Sequence, residues 1–162
     1  MTILEVCQLI ENSQIGTSIR ESNNYWMLNG AHVLSLAMSV GAIFWFDLRA
    51  MGVNMRHVRV SEVYRQISGW MYGGFVTMFI TGVLLFWAHA ATSYMNIYFR
   101  IKFLAMGLAV LNAMYFNVKT ARGIAAWDAN PVPPPGVRIA GIFSIVMWAG
   151  VIAAGRLMAY TF

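Results

Sequence analysis

Four apolar runs, each near the length needed to cross a bilayer, dominate this chain, and the connections between them hold most of its charge. They cover about residues 27–46, 67–90, 101–118 and 137–160; a transmembrane helix needs about 20 such residues. Within hydrocarbon, backbone N–H and C=O groups must pair inside a helix or a closed barrel. Barrel strands show as alternating segments of about ten residues, a pattern missing here. All four prolines, Pro131 and Pro133 to Pro135, fall in one loop ahead of the fourth run. The predicted fold is therefore all-α. Residues 26–162 form an antiparallel bundle of four transmembrane helices, and residues 1–25 form an amphipathic interfacial segment before it.

Composition agrees. Hydrophobic residues make up 59% and charged residues 10%, against about 45–50% and about 25% in soluble domains. A net charge of +5 would suit nucleic acid, but the cations sit in the connections, where the positive-inside bias puts them. No nucleic-acid partner is expected; the bilayer is the partner. One side of the bundle carries seven cations (Arg49, Arg56, Arg59, Arg65, Lys119, Arg122 and Arg138) and the other four (Arg20, Arg100, Lys102 and Arg156). That balance predicts both termini on the outer side of a bacterial inner membrane. His57, between Arg56 and Arg59, belongs to the basic patch meeting headgroups.

A single cysteine, Cys7, excludes an internal disulfide framework and a cysteine metal cluster. It reads as a small apolar residue on an interfacial helix, where Ile3, Val6, Cys7 and Ile10 recur at helical spacing. Gly16 marks the predicted break in this segment. The first residues carry Glu5 and Glu11 and no lysine or arginine, unlike a signal peptide, so the first span is expected to act as its own insertion signal.

Small residues predict close helix packing. His32, Ser35, Ser39 and Ala42 share one face of the first span; the second holds Gly69-x-x-x-Gly73 with Gly74 and Gly82, and the fourth Gly150-x-x-x-Ala154 with Gly155. Asn112, mid-span, is expected to hydrogen-bond across the bundle. Asp47 and Arg49 are expected to form a local ion pair. No nucleophile–base pair, phosphate loop or zinc-spaced cluster is visible, so the chain reads as a non-enzyme by itself.

The chemistry worth testing lies at one end. His32 sits about 9 Å into the first span at about 1.5 Å per residue. His89 closes the second span, which runs the other way. Arg100 and Lys102 open the third, and Arg156 stands near the end of the fourth. This set suits haem b: iron takes imidazole nitrogens axially, and cationic side chains hold propionates. Met106 or Met158 are alternative axial ligands. Arg100 and Lys102, two apart on a helix, are not expected to face one pocket. The competing reading makes His32 a neutral, hydrogen-bonded histidine, His89 an interfacial ring beside Trp87, and the cations snorkelling side chains. A copper site built from His32, His89 and methionine is a further alternative.

Several stretches resemble an uncharacterised family of small four-helix bacterial inner-membrane proteins. They are Leu4-Glu5 through Ile19-Arg20-Glu21-Ser22, His32-Val33-Leu34 to Asp47-Leu48-Arg49, Phe99-Arg100-Ile101-Lys102, Ala126-Trp127-Asp128, and Trp148-Ala149-Gly150 through Gly155-Arg156. The chain is more faintly similar to copper-resistance D-type and protoporphyrinogen-oxidase-like membrane bundles, in which histidine and haem are in play. The resemblance carries over to His32, Arg100, Lys102 and Arg156. Relatives show histidine where this chain has Asn117, and an acidic residue at His89. Two functions follow as expectations: a haem b electron-transfer protein acting at the outer side, or an accessory subunit of a larger membrane complex or homo-oligomer. A transporter is disfavoured, since the spans lack opposed ionisable pairs.

Overall fold

The computed structural model describes residues 1–120, 124 and 126–161, without the side chains of Lys119 and Thr120. Lys119 (side chain) and Arg122, two of the cations counted above, thus lie outside the described residues. The helices are α1 (Ile3–Glu11), α2 (Gln14–Arg20), α3 (Tyr25–Ala50), α4 (Val60–Ala88), α5 (Ala90–Met95), α6 (Ile97–Tyr115) and α7 (Pro135–Met158), and no strand occurs among the described residues. A π-helical turn, Phe116–Thr120, continues α6. Helices α3, α4, α6 and α7 are long and apolar enough to cross a bilayer, and the chain is a multi-pass membrane protein.

The distribution of side chains is that of a protein dissolved in lipid. Trp26, Trp70, Phe79, Leu104 and Ile139 are exposed, while Ser35, Ser39, Thr81 and Ser144 are buried. Hydrocarbon solvates the former and leaves the latter to pair with one another and with backbone. Helix α3 lies along α4, α6 lies along α7, and α3 also packs on α7; α4 and α6 scarcely touch. A core of Val40, Met78, Ala109, Trp148 and Val151 draws on all four spans.

Glycine sets the α3–α4 spacing. A Cβ on Gly74 would lie 2.9 Å from the Ser39 nitrogen and 3.0 Å from the Ser35 oxygen, so only a bare Cα permits this approach. Ser39 Oγ donates across the same seam to the Met71 carbonyl, 3.1 Å. The Gly69-x-x-x-Gly73 pair, expected to pack within the bundle, does not: a Cβ added to either glycine would meet nothing within 4 Å. Both face outward. Asn112 does cross the bundle, donating to the Ala140 carbonyl at 3.0 Å.

At the end of the bundle carrying the proline loop, Gly52 (φ +73°) ends α3. Val53 N donates to Leu48 O and Gly52 N to Arg49 O, 3.0 and 2.9 Å, which is the paired closure of a Schellman motif. The expected Asp47–Arg49 ion pair is absent, because residues two apart point to different sides of a helix. Arg49, fully buried, instead donates to the carbonyls of Val58 (2.7 Å), Asp128 (3.4 Å) and Asn130 (3.2 Å). It thereby ties two loops together. Helix α4 has no side-chain cap from its own N-cap residue Arg59. The Asp128 carboxylate supplies it from across the loops, accepting from Ser61 N (2.7 Å) and Ser61 Oγ (2.6 Å). Trp127 is buried against Ala50, Val60 and Val137, and Pro135 opens α7 at a position where its missing N–H costs nothing.

At the opposite end, α1 and α2 dock on the joint between α4 and α5. Helix α5 also lacks a cap of its own. Glu11 Oε2 provides one, accepting from Ala91 N at 2.7 Å. Arg20 donates to the Ala88 carbonyl (3.1 Å), and Trp87 Nε1 donates to Ser13 Oγ (3.0 Å). The break between α1 and α2 falls at Asn12–Ser13, not at the expected Gly16. Gly16 lies inside α2, where a Cβ would come within 2.4 Å of the Glu11 carbonyl oxygen; its smallness lets the two helices fold back on each other.

Candidate functional site

Because α4 and α6 stand apart, the bundle leaves open space on either side of its core. Near the end where the termini lie, a crevice of about 460 Å³ is lined by His32, His89, Lys102 and Arg156, with Asn29 and Met158. Four of the five residues expected to form a site thus converge. The fifth does not: Arg100 donates from Nε to the Tyr94 carbonyl (3.1 Å) and lies over the Tyr94 ring, so Lys102 faces the crevice and Arg100 faces away. Of the two alternative methionines, Met158 lines the crevice and Met106 packs on the core.

His32 is anchored on α4. Its Nδ1 lies 3.0 Å from Thr81 Oγ1, while Thr81 Oγ1 lies 2.7 Å from the Thr77 carbonyl and 3.1 Å from that of Met78. A hydroxyl has one proton; with that proton on a carbonyl, Thr81 Oγ1 accepts from Nδ1–H of His32 and the imidazole lone pair lies on Nε2. This is the arrangement in which a ligating histidine is oriented by a hydrogen bond from its other nitrogen. Gly82 completes the cradle: a Cβ there would sit 3.0 Å from His32 Cε1.

His89 terminates α4 and meets the Tyr25 ring edge-on, with centroids 5.6 Å apart. Burial lowers its pKa below the usual 6.5, with Glu11 opposing and Arg20 reinforcing the shift; the neutral ring prevails at pH 7. Lys102 lies against bare Gly155, its Nζ 3.7 Å from where a Cβ would be. Arg156 donates to Tyr160 Oη at 2.9 Å and stacks over that ring. The crevice thus pairs neutral imidazoles with cationic head groups, a combination suited to an apolar, anionic group. Thr81 and Asn29 are not singled out by sequence reasoning. The spacing from Thr81 to Gly82, beside a histidine on the facing helix, is the signal that could have found the first.

On the far side of the core, a second cavity of about 290 Å³ is lined by Asp47, Asn112 and Ser144 among aromatic rings. Among the described residues no group of three or more His, Cys, Asp or Glu side chains is placed to hold a metal ion. Axial ligation of haem iron takes only two side chains.

Residues 21–161 match the family model of DUF6644, a family of unknown function. Neither the curated proteins nor the solved structures contain a match to this chain.

Proposed function

The chain belongs to DUF6644, and we propose that it binds haem b in the histidine-lined crevice and carries electrons at the outer side of a bacterial inner membrane. One observation carries this reading: His32, its Nδ1 3.0 Å from Thr81 Oγ1, lines a crevice that also holds His89, Lys102 and Arg156. Haem iron would supply one-electron chemistry there. His32, with His89 or Met158, would hold it, while Lys102 and Arg156 would hold its propionates.

Oxidised and reduced visible spectra of the detergent-purified protein test this. A Soret band is expected in wild type and in Arg100→Ala, and is expected to vanish in His32→Ala. A colourless wild type from haem-supplied cells overturns the reading. Membrane side follows from the excess of cations at the proline-loop end. A cysteine at exposed Val132 should react with a membrane-impermeant thiol reagent only after the membrane is opened.

A second reading, an accessory subunit or homo-oligomer, draws on the outward-facing pair Gly69 and Gly73, where another helix could approach closely. Disulfide trapping of Gly69→Cys in native membranes, with identification of what it captures, separates subunit from self-association.

A further inference from the structure

The cavity on the proline-loop side of the core has a polar lining with a consistent character. Asp47 is only 5% exposed, and its Oδ2 is buried with no hydrogen-bond partner among the described residues. Ser144 lines the cavity beside it. The amide nitrogens of Asn112 and Asn117 are engaged on the carbonyls of Ala140 and Ala113, both at 3.0 Å. The Tyr64 and Tyr72 hydroxyls share a hydrogen bond of 2.7 Å. Against these paired groups, Asp47 Oδ2 is the lining oxygen left without a partner. Among the described residues no lysine, arginine or histidine lines the cavity, whereas the rings of Phe46, Phe75, Phe116 and Trp148 do.

An unpaired buried carboxyl oxygen is costly, and in a membrane span an ionisable side chain marks a functional site by default. Carboxylate and ring faces both attract cations. A cationic side chain is what the described lining lacks. We propose that this cavity binds a lipophilic organic ammonium, its N–H groups donated to Asp47 Oδ2 and its apolar body seated among the aromatic rings. The opening between α4 and α6 admits such a molecule from the bilayer. This site is separate from the histidine crevice and does not depend on the haem reading.

The probe is radiolabelled 4-phenylbutylammonium, equilibrated with the full chain in nanodiscs and corrected for empty nanodiscs; neutral 4-phenylbutan-1-ol is the control. Saturable binding of one probe per chain is expected, weakened tenfold or more in Asp47→Asn. The alcohol is expected to bind less tightly and to be indifferent to that change. Ala113→Trp leaves the carboxyl in place and fills the cavity from the exposed side of α6, so it should abolish binding even if Asp47→Asn does not fold. Equal binding by wild type and folded Asp47→Asn, retention by folded Ala113→Trp, no saturable excess over empty nanodiscs, or alcohol binding as tight as the ammonium would each overturn the proposal. The haem spectrum should be unchanged in Asp47→Asn.

Discussion

The two spaces beside the core occupy one groove, yet their chemistries are opposite. On the histidine side, imidazoles and two cations line the wall; on the proline side, a carboxyl, two amides and phenols do. The groove itself follows from packing, since two helix pairs joined through α3 and α7 leave α4 and α6 unpaired. Its two halves are then coloured by whichever polar residues α3, α4, α6 and α7 carry at each depth. A single backbone arrangement thus lines two spaces with opposite polar groups, separated by the layer that includes Trp148 and Met78.

Removing that layer is the most damaging change to make. Trp148→Ala should cost about 3–5 kcal/mol, as large-to-small core changes do. A lowered thermal midpoint in detergent would show it, along with loss of charge discrimination between the merged spaces. Next in size is Gly82→Val, which drives a branched carbon into the His32 ring. The Soret band should disappear while phenylbutylammonium binding persists; loss of both would mean the halves are not independent. Lys102→Gln should weaken retention of haem about tenfold, near the worth of one charge-assisted hydrogen bond. Arg100→Gln, outside the crevice, should leave it unchanged, as haem transfer to an acceptor globin would report.

The smallest effect is a pH-dependent difference between the ends. Burial depresses His89 below 6.5 in the folded chain, so the unfolded chain takes up that proton first as pH falls. Stability from this group is complete above 6.5 and declines below it. Partial burial works against ionisation of Asp128, but its bonds from Ser61, with Arg59 and Arg49 nearby, outweigh it and hold the carboxyl below 3.8. That contribution is complete above 3.8 and is lost as pH falls through the folded value. Hydrogen exchange should therefore quicken first in α5, below pH 6.5, and only below pH 3.8 at the start of α4. Asp128→Asn should cost about 1 kcal/mol at pH 7, the usual worth of a cap, and progressively less as pH falls below 3.8.

Span number and helical class were legible because lipid imposes them on any long apolar run. Antiparallel order also placed His32, His89, Lys102 and Arg156 at one end from the sequence alone. Which of the small residues touch was not legible. Gly74 and Gly82 contact α3 whereas Gly69 and Gly73 do not, and a spacing rule cannot tell a face turned inward from one turned out. Long-range polar bonds were equally hidden. Nothing local to Asp128 or Glu11 indicates that each caps a helix 67 or 80 residues away, and Arg49 abandons its sequence neighbour for carbonyls that only tertiary folding delivers.

Glu11 and Arg20 have a consequence for the crevice itself. Together they fasten the hinge between α4 and α5, and His89 rides on that hinge. The family match begins only at residue 21, just past this fastening. A chain trimmed to the matched stretch would keep its four spans and the Tyr25 contact with His89, but the joint that carries the second imidazole would lose its two latches, the bonds from Glu11 and Arg20.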